Sequence, residues 1–299
     1  MPRPVAYRTQ IAAAALLFST GGAAIKATSL DAWQLAGLRS AVAAVVLWLL
    51  VPSWRRFWSR RSAAVGLAYA ATMLLYVAGN KLTTAANVIF LQATAPVYLL
   101  VLGPLVLRER IRRRDLLQTA AMVLGLALFF VGAEPPSRTA PDPLRGNLVA
   151  ALSGLAWAFT ILGLRWLGRD PPGRRHDAPG AAVVAGNLLA AAISLPWALP
   201  LAGTRISDGF IVGYLGVFQI GLAYVALTRG MRNVAALEAS LLLLLEPVLA
   251  STWAWLLHDE RPGPWSLAGC ITILAASLLG ILWPSRRPPE DQPLQRSSS

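Results

Sequence analysis

Cysteine and histidine are nearly absent from this 299-residue chain, which has one cysteine, Cys270, and two histidines, His176 and His258. A single thiol cannot form an intrachain disulfide, and the three residues lack the spacing of a zinc site. The sequence also lacks a glycine-rich phosphate-binding loop followed by lysine, so it predicts no ATP-driven pump. We therefore expect no metal, no other cofactor and no enzymatic activity.

Charged residues are scarce as well, at 14% of the chain, whereas 56% are hydrophobic and the mean hydropathy is +0.55. A soluble domain is about 45–50% apolar and about 25% charged. About 20 apolar residues cross a bilayer as a helix. Ten such stretches lie near residues 9–27, 31–52, 63–82, 84–106, 115–133, 145–167, 180–202, 208–228, 234–257 and 265–283. The pattern predicts an all-α integral membrane protein with ten transmembrane helices.

Lysine is also rare, and arginine supplies 25 of the 27 basic residues behind the net charge of +13. With the N-terminus in the cytoplasm, twenty basic residues fall in cytoplasmic segments and six on the opposite side, while Arg39 lies within a span. This asymmetry predicts that both termini are cytoplasmic. The basic excess therefore indicates topology, with the lipid bilayer as partner, and no nucleic acid. The arginine- and alanine-rich composition is typical of a GC-rich bacterial genome, so we expect the inner membrane.

The chain repeats itself, because residues 85–110 match residues 236–261 and place Pro96 on Pro247. Each half contains five spans, and an odd number inverts the second half relative to the first. Inverted repeats with broken central helices are typical of secondary transporters, whose substrate site lies near the bilayer midplane. The predicted units are a first five-helix repeat over 1–133, a linker over 134–144, a second repeat over 145–283 and a disordered cytoplasmic tail over 284–299.

Short motifs add a family resemblance. The first half contains "TTAANVIFLQATAPV" followed by "RER", and the second contains "LLLLLEPV" followed by "DER", with Glu109 falling on Glu260. Together with "GGAAIK" and "GLRS" in the first two spans, these motifs resemble the EamA type of the drug/metabolite transporter superfamily over about residues 8–283. The resemblance implies transport, often export, of small metabolites such as amino acids or drugs. Residues 18–21 depart from it, because "FSTG" stands where the family commonly has a Trp-Gly pair.

Glu246 lies in the most apolar stretch of the chain, "LLLLLEPVLAS". A charge at the bilayer centre costs about 2.5–3.5 kcal/mol, and each central leucine contributes about 0.3–0.6 kcal/mol toward insertion, so residues 241–245 offset most of the cost. In one interpretation Glu246 binds a substrate amine or a proton and couples transport. In the other it accepts hydrogen bonds from backbone donors around Pro247. Ala95 occupies the corresponding place in the first half, so a proline-broken helix does not require the carboxylate.

Pro96 and Pro247 each remove one backbone hydrogen bond from a predicted span. They are either static kinks or paired hinges, and we expect spans four and nine to be broken there. Trp157 falls at the middle of its span, whereas most tryptophans lie near span ends. It either lines a cavity or packs with the small residues beside it.

Other polar residues within spans should face the protein interior or a watery path. With Trp157, the candidates for a substrate cavity are Tyr76, Asn80, Gln92, Asn187, Gln219 and Tyr224. Spans five and ten contain few polar residues, so we expect them at the periphery.

The sequence thus predicts a secondary transporter that moves a small metabolite, amino acid-like or drug-like, by alternating access. Export is favoured by the resemblance. The alternatives are a non-transporting membrane sensor or assembly subunit and a membrane-embedded lipid enzyme. The enzyme would need several acids and bases at one depth, but Glu246 alone is clearly central.

Overall fold

The computed structural model describes residues 4–51, 59–95, 97–99, 102, 113–131, 135–167, 178–201, 203–230, 243 and 245–282. In this part of the chain all regular structure is helical. A π-helix, Leu215–Leu222, continues α9 into α10. The α-helices are α1 (Pro4–Ser19), α2 (Gly21–Lys26), α3 (Ala32–Leu50), α4 (Arg60–Leu82), α5 (Ala85–Gln92), α6 (Arg113–Val131), α7 (Pro143–Leu167), α8 (Ala178–Ala198), α9 (Ile206–Tyr214), α10 (Ala223–Gly230), α11 (Leu245–His258) and α12 (Pro264–Leu282).

Five of these helical segments are long and apolar enough to cross a membrane. They are Ala32–Leu50, Arg60–Leu82, Pro143–Leu164, Pro179–Ala198 and Ile206–Leu227. Their outward faces carry large apolar side chains, and Ile206 and Phe210 are 86% and 77% exposed. Exposed apolar surface on this scale marks a face that meets another apolar phase, which indicates a multi-pass membrane protein.

Polar side chains fix where several helices begin. The Asp31 carboxylate accepts from the backbone N–H of Gln34 at 2.8 Å at the start of α3, and the Thr84 hydroxyl accepts from that of Asn87 at 3.2 Å at the start of α5. Such caps satisfy backbone donors that have no partner within the helix. They place polar turns at the ends of otherwise apolar helices.

Five of the connections between helices meet at one end of the bundle, which we call the Lys26 end. The turn after α2 meets both the turn between α4 and α5 and the start of α9 through side-chain hydrogen bonds. The turn after α4 also bonds the segment before α7, where Asp142 N donates to Leu82 O at 3.1 Å. The turn after α11 joins them through an ion pair between Glu260 and Lys26. These are the connections that the ten-span prediction places on the outer side.

The two halves of the chain interdigitate. Within the described residues, every helix except the short segments α2 and α9 makes most of its contacts with helices of the other half. α4 packs along α7 and α8, while α10 packs along α1 and the π-helix packs along α3. α5 packs on α7, and α11 packs on α1. The pattern of contacts therefore repeats when the two halves are exchanged.

α6 and α12 contact each other more extensively than they contact any other described helix. They cross at two glycines, and a Cβ atom on Gly269 would lie 2.8 Å from the carbonyl oxygen of Gly125. Small residues let membrane helices approach this closely. The expected peripheral position of spans five and ten holds only in part, because Phe129 of α6 and Ile273 of α12 belong to the main apolar core.

Gly146, in the first turn of α7, is a position where a side chain does not fit. A Cβ atom there would lie 2.7 Å from the backbone nitrogen of Thr83 and 2.8 Å from the carbonyl carbon of Leu82. We expect Gly146→Ala to lower the thermal unfolding temperature of the detergent-purified protein by several degrees, because overpacking typically costs about 1–3 kcal/mol.

The control is Gly213→Ala in α9, where no atom lies within 4 Å of the added Cβ. Alanine has the higher helix propensity, so this variant should unfold at the wild-type temperature or slightly above it. Equal behaviour of the two variants would show that the close approach at Gly146 does not constrain the packing.

Candidate functional site

A cavity of about 420 Å³ lies between helices of both halves. Its lining combines aromatic rings, amides, aliphatic side chains and two charged groups. The lining residues are Phe18, Arg39, Thr72, Met73, Tyr76, Ile89, Gln92, Ala93, Gln118, Met122, Trp157, Gln219, Ile220, Tyr224, Leu227, Leu243, Glu246 and Pro247.

Most of the polar residues predicted from the sequence meet at this cavity. Tyr76, Gln92 and Trp157 reach it from α4, α5 and α7, and Gln219 and Tyr224 reach it from the π-helix and α10. Five separate helical segments from both halves therefore contribute to one wall, as a site between repeats requires.

Asn80 and Asn187 are not among the lining residues, although the sequence suggested them. Both side chains are fully buried. The Asn80 amide donates to the carbonyl oxygen of Tyr76 at 2.9 Å, and the Asn187 amide donates to that of Val183 at 3.0 Å and to the Tyr69 hydroxyl at 3.3 Å. The amide nitrogen of a polar residue can thus bond the preceding turn of its own helix, although neither Oδ1 atom has a partner among the described residues. Position within a span therefore does not by itself place a residue on a cavity.

Of the two proposed hinge prolines, Pro247 lies among the described residues and Pro96 does not. Pro96 lies outside the described residues, and α5 ends four residues before it, at Gln92. Pro247 lines the cavity from the first turn of α11 as described, next to Glu246. Both hinge assignments stay predictions.

Glu246 is partly buried and faces the cavity. Its carboxylate forms no hydrogen bond or ion pair with any residue of the described part of the chain. Tyr76 and Tyr224 lie within electrostatic range of it. Residues 231–242 and 244, which precede it in the chain, lie outside the described residues, so both interpretations of Glu246 stay predictions.

Arg39 is the second charged residue of the lining; the sequence placed it within a span but not among the candidates for the cavity. Its side chain is fully buried, with the guanidinium 5.9 Å from the centroid of the Tyr76 ring. Nη2 donates to the carbonyl oxygen of Met73 at 3.2 Å, and Nη1 lies 3.5 Å from Gln219 Oε1. Nε has no hydrogen-bond partner, and within the described residues no carboxylate forms an ion pair with this cation.

The signal for Arg39 was already visible in the sequence. A cation inside a predicted span is expensive there, and Arg39 is the one basic residue that the topology count left within a span. A fully buried guanidinium without an acidic partner indicates that the cation is retained at a cost in stability.

Aromatic rings complete one side of the cavity. Phe18 meets Tyr224 edge-on at 5.2 Å between ring centroids, and Tyr224 meets Tyr69 at 5.6 Å. Both are favourable arrangements for aromatic pairs. Phe18 lies in the segment 18–21 that lacks the family's Trp-Gly pair, and its ring is the aromatic group that the first helix contributes to the cavity.

The small residues beside Trp157 explain why that ring faces the cavity. A Cβ atom on Gly154 would lie 2.9 Å from the carbonyl oxygen of Leu91, so this side of α7 packs closely on α5. Gln92 donates to Ser153 Oγ at 2.9 Å across the same contact. The sequence offered packing and cavity lining as alternatives. In the structure the small residues Ser153 and Gly154 pack on α5, and Trp157, on the same helix, lines the cavity.

The π-helix places Gln219 beside Arg39. Its glycine Gly216 packs directly on α3, where an added Cβ would lie 2.5 Å from Val42 Cβ and 2.9 Å from the carbonyl oxygen of Arg39. π-helical segments are rare and occur frequently at functional sites. The wider turn of the π-helix therefore lies where Gln219 approaches Arg39 at the cavity wall.

Comparisons with known proteins agree with the motifs. A family model described as the EamA-like transporter family matches residues 9–131 and 144–282. No curated protein matches the chain in a sequence comparison. One solved structure, described only as the crystal structure of a protein, shares 20% identity with this chain at a TM-score of 0.61, covering 92% of this chain and 96% of that one. At this identity the likeness shows a common fold.

Proposed function

The chain belongs to the EamA-like transporter family, a branch of the drug/metabolite transporter superfamily, and from this premise we propose that it is a secondary transporter of the bacterial inner membrane. It moves a small metabolite, amino acid-like or drug-like, by alternating access, and export is the favoured direction. The observation that carries the proposal is the cavity between the two halves, walled by aromatic rings and amides and containing one carboxylate without a partner among the described residues.

Ten spans in two inverted repeats are part of this proposal. Each of the ten predicted spans contains at least one described helical segment. The two family-model matches divide the chain near the predicted linker, and the contacts between helices repeat when the halves are exchanged. The excess of arginine on one side supports cytoplasmic termini, and the Lys26 end is then the outer end.

The composition of the cavity supports a polar or amphipathic substrate. Glu246 offers a site for a substrate amine or for a proton that drives the exchange, and rings such as Trp157 and Phe18 offer apolar contact. Ligand sites commonly combine a mostly apolar lining with a few convergent polar groups that fix orientation.

The test is substrate-stimulated flux in proteoliposomes that contain the purified protein. A panel of labelled amino acids, nucleosides and cationic drugs is offered in counterflow, and liposomes without protein are the control. We expect at least one compound to exchange faster than in the control. Saturable binding without flux would instead support a sensor or assembly subunit, and turnover of added phospholipid would support the lipid enzyme.

A further inference from the structure

A buried ion pair lies at the Lys26 end of the bundle. Lys26 Nζ lies 2.9 Å from Glu260 Oε1, and the two side chains are only 3% and 2% exposed. Lys26 lies at the end of the first predicted span and Glu260 follows the ninth, so the pair joins the two halves of the chain.

Each partner of this pair also fixes other elements. Lys26 Nζ donates to the carbonyl oxygens of Asn80 and Thr83 at 2.9 and 2.8 Å and to that of Thr139 in the segment between the halves. Glu260 Oε2 accepts from the backbone N–H of Ala85 at 2.8 Å, in the first turn of α5, where the helix dipole favours an anion.

Local backbone geometry directs Glu260 toward Lys26. α11 ends at His258, and Asp259 adopts a positive φ of 52°. The next N–H, that of Glu260, bonds back to the carbonyl oxygen of Ala254 at 3.3 Å. This left-handed cap turns the chain back toward the bundle. His258 Nε2 adds a contact of 2.8 Å with the carbonyl oxygen of Ala23.

The helices that meet at the pair are helices that wall the cavity. Phe18 precedes Lys26 by eight residues and Gln92 follows Ala85 by seven, and both Phe18 and Gln92 line the cavity. At 1.5 Å per helical residue, the pair lies roughly 10–12 Å beyond the cavity wall. A substrate that leaves toward the Lys26 end must pass between the helices that the pair joins.

We propose that Lys26 and Glu260 form the outer gate of the transport path. The transport role of this gate rests on the proposed function, whereas its control of access to the cavity does not. The pair closes the outer end in the conformation described here and separates when the cavity opens outward.

The physics of a buried ion pair suits a reversible gate. Burying two charges forfeits much hydration, and their mutual attraction offsets that loss only in part. When the pair separates into water, both ions recover their hydration. Removing one partner has the opposite effect on the closed form, because it leaves the other charge buried and unpaired.

The experiment measures access to the cavity from outside. Ala93, a small lining residue of the cavity, is changed to cysteine in a Cys270→Ala background. A membrane-impermeant thiol reagent is added to right-side-out vesicles. We expect Lys26→Gln and Glu260→Gln each to raise the labelling rate at least tenfold, while Lys26→Arg, which keeps the charge, stays within twofold of the parent.

The same turn offers a matched control. Asp259 and Arg261 form an ion pair of 3.3 Å whose side chains are 79% and 77% exposed. Arg261→Gln should leave the labelling rate unchanged. An unchanged rate in folded Lys26→Gln and Glu260→Gln, or an equal increase in Arg261→Gln, would overturn the gate.

A second variant covers the case in which the single changes do not fold. Lys26→Cys combined with Glu260→Cys removes both charges and leaves none unpaired. A reducible bifunctional thiol reagent that joins the two cysteines should abolish outside labelling of Ala93→Cys, and reduction should restore it. Labelling that continues while they are joined would refute the gate. Neither labelling experiment needs a substrate, so both can succeed even if every flux assay fails and the proposed function falls.

Discussion

Glu246→Gln should abolish flux driven by a pH gradient while leaving substrate counterflow intact. Glutamine keeps the shape of the side chain but cannot bind and release a proton. Glu246 is suited to that role because it lines the cavity and its carboxylate is free of hydrogen bonds and ion pairs within the described residues. The measurement is uptake into proteoliposomes with an imposed pH difference, compared with exchange at equal pH on both sides.

Asp259→Asn is the control for this experiment, because it removes a carboxylate that is 79% exposed in the turn after α11. It should behave as wild type in both assays. Wild-type proton dependence in Glu246→Gln would end the coupling hypothesis. Loss of folding in that variant would support the interpretation that the carboxylate holds the helix around Pro247.

Arg39→Met should lower flux at least tenfold while leaving the thermal unfolding temperature equal to that of wild type or higher. Arg39 is one of two charged residues of the cavity lining, and its guanidinium contacts both Met73 and Gln219. Losing the bonds to Met73 and Gln219 therefore disturbs the cavity wall. Stability is spared because the guanidinium has no acidic partner in the described chain, so its removal strands no buried charge.

Two further variants complete the Arg39 experiment. Arg39→Lys keeps the charge but loses the planar guanidinium that reaches Met73 and Gln219 while facing the Tyr76 ring, so it should also lose flux. Arg261→Met, at an exposed position, should change neither flux nor stability. An Arg39→Met protein that unfolds well below wild type would show that the cation is needed to build the bundle.

The helices themselves could be predicted well from the sequence, because apolar length is the main requirement for crossing a bilayer. Each predicted span contains described helix, and Trp157, Gln219 and Glu246 reach one cavity from three different segments. A polar side chain within a span must face away from lipid, and in a bundle of two halves the cavity is one such place.

Local departures from regular helix could not be predicted. The predicted first span is interrupted between α1 and α2 at Thr20, and the eighth contains the π-helix. One wider turn changes the apolar pattern too little to be recognised in a sequence. Asn80 and Asn187 were misleading for a related reason, because an amide bonded to its own preceding turn has the same sequence pattern as one facing a cavity.

The closing contacts at the Lys26 end could be predicted only in part. The internal repeat pairs Glu260 with Glu109 as its counterpart but identifies no interaction partner for it. Lys26 is 234 residues away in the chain, and its ion pair depends on the left-handed turn at Asp259. Long-range pairs of this kind depend on how the two halves dock, which local patterns do not specify.

The interdigitation of the halves has a consequence for biosynthesis. When the ribosome has completed the first half of the chain, the helices of the second half have not yet been translated. Most described helices of the first half pack mainly on those later helices. The nascent membrane segments must wait, side by side in lipid, until the second half is inserted among them. A message truncated near the linker would therefore yield helices that lack most of their described packing partners.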